Sequence, residues 1–217
     1  MRNKFDRARA KARPEKNNDM NMEIPVHPDA KALIFDLDGT LSDSLPMHVE
    51  AWKKVGEKYG FEFDPQIVYE LTGRPTIEFA KRIIEVYGIK ADPQKMVDLK
   101  LKTFWDSADL IKSHKKVTDI VKSCYKKLPM SVGTGAGRKS ADIQLNAMKI
   151  YSCFDFIVTA DDVEKHKPEP DTFLKCASLM GVSPEFCQVF EDGEMGIIAA
   201  EKAGMIITDV RPYLNNR

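Results

Sequence analysis

Asp36 and Asp38 stand two positions apart in the run Asp36-Leu37-Asp38-Gly39-Thr40, directly after an apolar stretch and directly before a glycine. Two carboxylates so spaced at the end of a strand can divide a phosphoryl transfer between them. One attacks phosphorus to give an acyl phosphate, and the other handles the protons of the leaving alcohol and of water. The alternative is an Asx-turn in an ordinary loop, since Asp and Gly are routine turn residues. A second acidic pair, Glu191-Asp192 before Gly193, closes another apolar run. Carboxylates clustered beside a phosphate need a divalent cation between them, and Mg2+, hard and oxygen-liganded, meets that need. Capping a helix over residues 196–202 is a competing role for Asp192, compatible with holding a metal. Lys167, in Lys165-His166-Lys167-Pro168-Glu169-Pro170-Asp171, can neutralise phosphoryl oxygens and keep a carboxylate nucleophile ionised; its alternative is a solvated basic loop. Thr134, in Val132-Gly133-Thr134-Gly135, offers a hydroxyl and nearby backbone N–H groups to a phosphate at a helix start.

Such residues need a scaffold that brings them together. Short apolar runs at 32–35, 130–133, 154–159, 188–190 and 205–209 predict strands. Helical periods lie between them: Val117, Ile120, Val121 and Cys124 recur at i, i+3, i+4 and i+7, and residues 197–202 lead to a stop at Gly204. Strands alternating with helices predict an α/β fold, a doubly wound parallel sheet covered on both faces. Asp36, Thr134 and the Glu191-Asp192 pair each fall where a strand run ends, and Lys167 follows another strand by a short loop. In an open parallel sheet those ends share one edge and its ligand crevice. One interval breaks the rhythm, with helices predicted at 44–59 before Gly60, at 76–87 before Gly88 and at 93–105. The chain therefore divides into a basic N-terminal extension at 1–28, an α/β core at 29–45 and 113–217, and an inserted helical cap at 46–112.

The 217 residues are 43% hydrophobic and 30% charged, and no uninterrupted apolar stretch approaches the roughly 20 residues that cross a bilayer. Lys plus Arg number 33 and Asp plus Glu number 33, so no global charge steers the chain toward nucleic acid or a membrane. Cys124, Cys153, Cys176 and Cys187 are scattered with no CxxC pair, which points to a reducing cytoplasm and away from zinc or redox chemistry. Residues 1–18 lack the apolar segment of a secretory signal. Arg2, Lys4, Arg7, Arg9, Lys11, Arg13 and Lys16 make the start of the chain basic. With almost no aromatics to stack on bases, a solvated extension is favoured over a nucleic-acid contact.

Taken in order, Asp36-Leu37-Asp38-Gly39-Thr40-Leu41, Thr134, Lys167-Pro168-Glu169-Pro170-Asp171 and Glu191-Asp192 followed by Ala203-Gly204-Met205 resemble the haloacid dehalogenase superfamily. The insert resembles the helical cap of its subgroup containing beta-phosphoglucomutase and small sugar-phosphate phosphatases. The resemblance implies that Asp36 is the nucleophile and a Mg2+ ligand, and that Asp38 is the general acid/base with its backbone carbonyl on the metal. It implies that Thr134 and Lys167 bind the phosphoryl group beside Gly39, Thr40 and Gly135, and that Glu191 and Asp192 complete the metal side. Gly193 stands where many relatives have serine, which removes a hydroxyl and none of these charges. His48 matches a cap histidine that assists substrate contact or gating, while Trp52, one turn on, is expected to pack in the cap; Lys100 and Lys102 could each reach a sugar or a distal phosphate.

Leu71-Thr72-Gly73-Arg74-Pro75-Thr76, Val132-Gly133-Thr134-Gly135 and His166-Lys167-Pro168 resemble the sugar-phosphate phosphatases of the subgroup; the mutase resemblance is weaker, because the position of the mutase's phosphate-gripping arginine is Thr76 here, with Arg74 nearby. The expected function is Mg2+-dependent hydrolysis of a small sugar, sugar-alcohol or sugar-acid monophosphate through an aspartyl phosphate. A phosphosugar mutase is the alternative, and an inactive regulatory module comes after it. The expected partner is the phosphorylated sugar alone, with no nucleic acid or membrane, acting on a monomer or weak homo-oligomer.

Overall fold

In the computed structural model, which describes residues 23–214, five short apolar segments pair side by side, all in parallel. They are β1 (Ala32–Phe35), β2 (Met130–Gly133), β3 (Phe156–Val158), β4 (Cys187–Glu191) and β5 (Ile206–Asp209), in the order β3-β2-β1-β4-β5. β1 lies at the centre with all four of its residues buried. Alternation along each strand divides the core between two faces. Leu33, Phe35 and Val132 join Val117, Val121, Ala141 and Leu145 of α5 (Lys115–Cys124) and α6 (Arg138–Ala147) on one face. Ala32, Ile34 and Val189 join Phe173, Ala177, Ala199 and Ala200 of α7 (Asp171–Met180) and α8 (Glu194–Lys202) on the other. Burying each large apolar side chain contributes about 1.5–3 kcal/mol, so helices on both faces are what an all-apolar β1 demands.

Between β1 and α5 lie four helices: α1 (Leu45–Tyr59), α2 (Gln66–Leu71), α3 (Thr76–Tyr87) and α4 (Pro93–Asp106). Gly60 and Gly88 end α1 and α3 at φ of 79° and 61°, a left-handed turn that a side chain would strain. Asp92 caps α4 by accepting from the Gln94 N–H, and Pro93 fills its first turn. The four helices bury their own apolar cluster, with Leu45, Val49, Trp52 and Val55 of α1 meeting Val68, Phe79, Ile83 and Met96. The chain passes between the sheet and these helices twice, and the two passages pair: Ser42 lies antiparallel to Ser113, the Asp43 N–H donates to the Lys112 carbonyl at 2.8 Å, and the His114 N–H donates to the Leu41 carbonyl at 2.9 Å.

The boundaries of the strands and of the insert helices fall within two residues of the sequence reading, those of β1, β2 and α3 without any shift. The strand expected at 154–159 pairs only over Phe156–Val158, because Phe154 turns inward to meet the Phe35 ring edge-on and the Asp155 N–H is taken by the Met130 carbonyl. Short α2 had no periodic signal of its own, six residues being too few to show one. The basic run from Arg2 to Lys16 lies outside the described residues. No helix among the described residues is long and apolar enough to cross a membrane.

Candidate active site

Asp36 is the first residue beyond β1, and its buried position is set from the β4 side, where its N–H donates to the Phe190 carbonyl at 3.0 Å. From the end of β4 come Glu191 and Asp192, both buried, and carboxylate oxygens of Asp36, Glu191 and Asp192 lie within 4.8 Å of one another. Lys167 reaches into this cluster from the loop before α7, its Nζ 2.7 Å from Asp36 Oδ1 and 3.5 Å from Glu191 Oε2. At 2% exposure Lys167 is no solvated loop residue. Its ammonium also sits 4.6 Å above the Phe173 ring.

Three carboxylates share one ammonium, and the charges respond accordingly. Burial pushes the Asp36 carboxyl above its ordinary value, with Asp192 and Asp38 adding to the rise and Lys167 opposing it. Burial, then Asp36, drives Glu191 up as well. Burial would strip Lys167 of its proton, yet the Asp36 and Glu191 charges hold it firmly protonated. Asp36 Oδ2 is buried without a hydrogen-bond partner. An orphaned carboxylate oxygen inside an acid-rich, oxygen-only cluster fits a hard divalent cation.

Asp192 does not cap α8, whose N-cap position is Gly193; instead it accepts from the Thr40 hydroxyl at 2.7 Å. Thr40 follows a tight turn in which Gly39 has φ of 91° and donates its N–H to the Ser42 carbonyl at 2.7 Å. Gly39 and Thr40 thus shape the loop and support Asp192, away from the walls of the neighbouring cavity. Gly193 and Gly196 leave room for Glu191: a Cβ at Gly196 would collide with the Glu191 carboxylate.

Asp38 faces the other way, into a cavity of about 50 Å³ between the sheet edge and the four-helix insert. Its Oδ1 receives three donors, Ser44 Oγ at 2.7 Å, His48 Nε2 at 2.7 Å and Gln144 Nε2 at 2.9 Å. Burial opposes its charge, but these partners, His48 foremost, hold the carboxyl well below the usual carboxylate range. Lys100 Nζ lies 2.7 Å from His48 Nδ1. An ammonium can only donate, so Nδ1 accepts and the ring carries its proton on Nε2, toward Asp38. Burial and the Lys100 charge lower the affinity of His48 for a second proton, while burial alone brings Lys100 down to about 8, against Asp38. The imidazole is stacked flat on Phe104, ring centroids 4.2 Å apart.

Thr134 follows β2, with its N–H donated to the Val158 carbonyl at 2.9 Å and its Oγ1 accepting the Ala136 N–H at 3.0 Å. Thr134 and Gly135 line the same cavity as Asp36 and Asp38. Above them the turn between α2 and α3 presses onto the sheet edge. A Cβ at Gly135 would collide with the Gly73 carbonyl oxygen, and one at Gly73 would lie 3.2 Å from Lys167 Cδ. Trp52 is stacked between Phe63 and Phe79, each ring centroid 6.2 Å away, as expected of a packing residue, and its edge also lines the cavity.

The structure therefore gathers Asp36, Asp38, His48, Thr134, Gly135, Lys167, Glu191 and Asp192 at one sheet edge. Sequence reasoning missed Ser44 and Gln144 and left Lys100 undecided against Lys102. A signal existed for Lys100: it lies four residues from both Met96 and Phe104, on the buried stripe of α4, whereas Lys102 is exposed. Gln144, between Ala141 and Leu145 on the buried face of α6, carried a similar signal.

A family profile described as haloacid dehalogenase-like hydrolase matches residues 33–210. Among curated proteins, the chain is 42% identical over 183 residues to the fructose-1-phosphate phosphatase YqaB of Escherichia coli, covering 82% of this chain and 95% of the relative. It is 30% identical over 198 residues to the beta-phosphoglucomutase of Bacillus subtilis, covering 83% of each. Among solved structures, the beta-phosphoglucomutase from Clostridium difficile superposes with a TM-score of 0.75 at 27% identity, over 83% of this chain and 84% of the other.

Proposed function

The chain belongs to the haloacid dehalogenase-like hydrolases, and from that premise we propose that it is a Mg2+-dependent phosphatase of small sugar monophosphates. The observation that carries the reading is Asp36 Oδ2, a buried carboxylate oxygen with no partner, beside the Lys167 ammonium and within reach of Glu191 and Asp192. The similarity to a fructose-1-phosphate phosphatase supports it. In this reading residues 29–45 and 113–217 form the catalytic core, and residues 46–112 form a cap that parts from it to admit substrate. Four cysteines without disulfides suit a reducing compartment, and every group invoked below comes from one chain.

One carboxylate oxygen of Asp36 forms a bond to phosphorus as the bond to the sugar oxygen breaks, the other staying on the metal side. Asp38 gives that oxygen its proton, and the Lys100–His48–Asp38 line of hydrogen bonds offers a path for the proton to arrive. Lys167 keeps Asp36 ionised and meets the phosphoryl oxygens from one side, with the Thr134 hydroxyl on the other. Asp38, now a carboxylate, takes a proton from the water that attacks phosphorus, which releases phosphate and restores Asp36. Asp36, Glu191, Asp192 and the Asp38 carbonyl would hold Mg2+, which when bound offsets the charge that the acids and the phosphate bring together. The seal between Gly73 and Gly135 keeps bulk water from the acyl phosphate.

A mutase is the second reading, favoured by the beta-phosphoglucomutase likenesses. The deciding experiment measures phosphate release from hexose, pentose and polyol monophosphates with and without Mg2+, beside bisphosphate-primed interconversion of glucose 1-phosphate and glucose 6-phosphate. Metal-dependent release is the expected result. Interconversion with little release would replace the phosphatase by the mutase.

A further inference from the structure

The insert-side wall of the cavity carries a cation that the chemistry above does not use. Arg74 lies in the turn between α2 and α3 and is held from both sides: its Nη1 donates to Glu78 Oε2 at 2.7 Å, one helical turn on, and its Nη2 rests 3.9 Å from the Met195 sulfur at the start of α8. Its Nε is buried and has no acceptor. The adjoining Gly73 lies against the Lys167 side chain, so Arg74 borders the space into which the leaving group emerges. Lys100, the other cation on this wall, gives its ammonium to His48. The alcohol portion of a substrate therefore borders a guanidinium that keeps one N–H donor in need of an acceptor and, because Glu78 offsets its charge, brings no net positive charge. A hydroxyl oxygen satisfies such a donor without a charge of its own, whereas a second phosphate requires an unpaired cation.

We propose that the Arg74–Glu78 pair determines specificity at this site: it admits monophosphates of neutral polyhydroxy alcohols and turns away bisphosphates. The inference rests on the phosphatase reading. Exclusion by a charge already neutralised is discrimination against the wrong ligand rather than attraction to the right one. The pair is about one-third exposed, at 32% and 33% of the two side chains, so either residue can be replaced at little cost to folding.

The test compares fructose 1-phosphate with fructose 1,6-bisphosphate, glucose 1-phosphate with glucose 1,6-bisphosphate, and both monophosphates with 4-nitrophenyl phosphate. Glu78→Gln, with Glu78→Ala as a second variant, should raise kcat/KM for bisphosphate relative to monophosphate about tenfold by freeing the guanidinium charge. Arg74→Met should lower kcat/KM for the sugar monophosphates relative to 4-nitrophenyl phosphate by about the same factor. Ratios unchanged in variants that melt like the wild type would overturn the assignment and leave the phosphatase standing. A wild type that releases phosphate from none of these esters would instead end the phosphatase reading.

Discussion

The acid cluster at the sheet edge and the polar line running into the helical insert lie side by side, yet they solve opposite electrostatic problems. In the first, Asp36, Glu191 and Asp192 surround the buried ammonium of Lys167, every member is buried, and the three acids stand at the ends of strands. In the second, Asp38, His48 and Lys100 balance one another, with Asp38 on the loop after β1 and the other two on helices α1 and α4. The first is short of positive charge and suits a metal ion and a phosphate; the second is complete in itself. In the proposed reaction the nucleophile is thus carried at the end of a strand, and the line that delivers the proton is carried by helices of the insert.

The comparison breaks most directly at Asp36. Asp36→Asn should cut phosphate release by roughly 10⁴-fold or more while circular dichroism stays native, because the fold does not need that charge and the covalent route does. Residual turnover near wild type would dissolve the distinction between the regions. Asp192→Asn keeps an acceptor for the Thr40 hydroxyl but removes a charge, and should weaken apparent Mg2+ affinity about 10–100-fold in a titration of activity; an unchanged metal curve would place the cation elsewhere.

The contact between the regions is tested by Gly135→Ala, whose methyl would meet the Gly73 backbone. It should raise KM or lower kcat by about tenfold, since a small misplacement at a closing site is costly. Gly137→Ala is the control, for its Cβ would sit 3.4 Å from the Asp161 carboxylate, an ordinary contact. Equal effects in both would argue against a seal at Gly73.

A change in stability with pH, rather than in turnover, sharpens the claim that the polar line balances itself under strain of burial. Lys100 falls from an ordinary 10.5 to about 8 on folding. Below about 8 the ammonium is charged in both states and its burial cost is fully present. Between about 8 and 10.5 the unfolded chain keeps a proton that the folded chain has released, so folding grows more favourable as pH rises. The stability of the wild type relative to Lys100→Met should therefore increase across that window, by on the order of 3 kcal/mol at most. Denaturant titrations of both proteins at several pH values measure it; a flat difference would mean the lysine is not buried with its charge.

The local part of this architecture could be read from sequence because it is written over a few neighbouring residues. Short continuous apolar runs gave the strands, glycine stops gave the ends of α1 and α3, and the polar residues directly after the strand runs gave Asp36, Thr134, Glu191 and Asp192. Parallel pairing then forces those ends to one edge, so their convergence followed from topology alone. The contacts that distinguish one carboxylate from another did not follow. Gln144 meets Asp38 across 106 residues and Lys100 meets His48 across 52, and each meeting depends on how α6 or α4 is rotated and seated against its neighbours. A residue's own segment fixes which face of the helix it occupies; only the packed tertiary structure decides what lies opposite that face. The Arg74–Glu78 pair, only four residues apart, was by contrast open to local reading, and only the seating of the turn between α2 and α3 on the sheet edge placed Arg74 at the cavity.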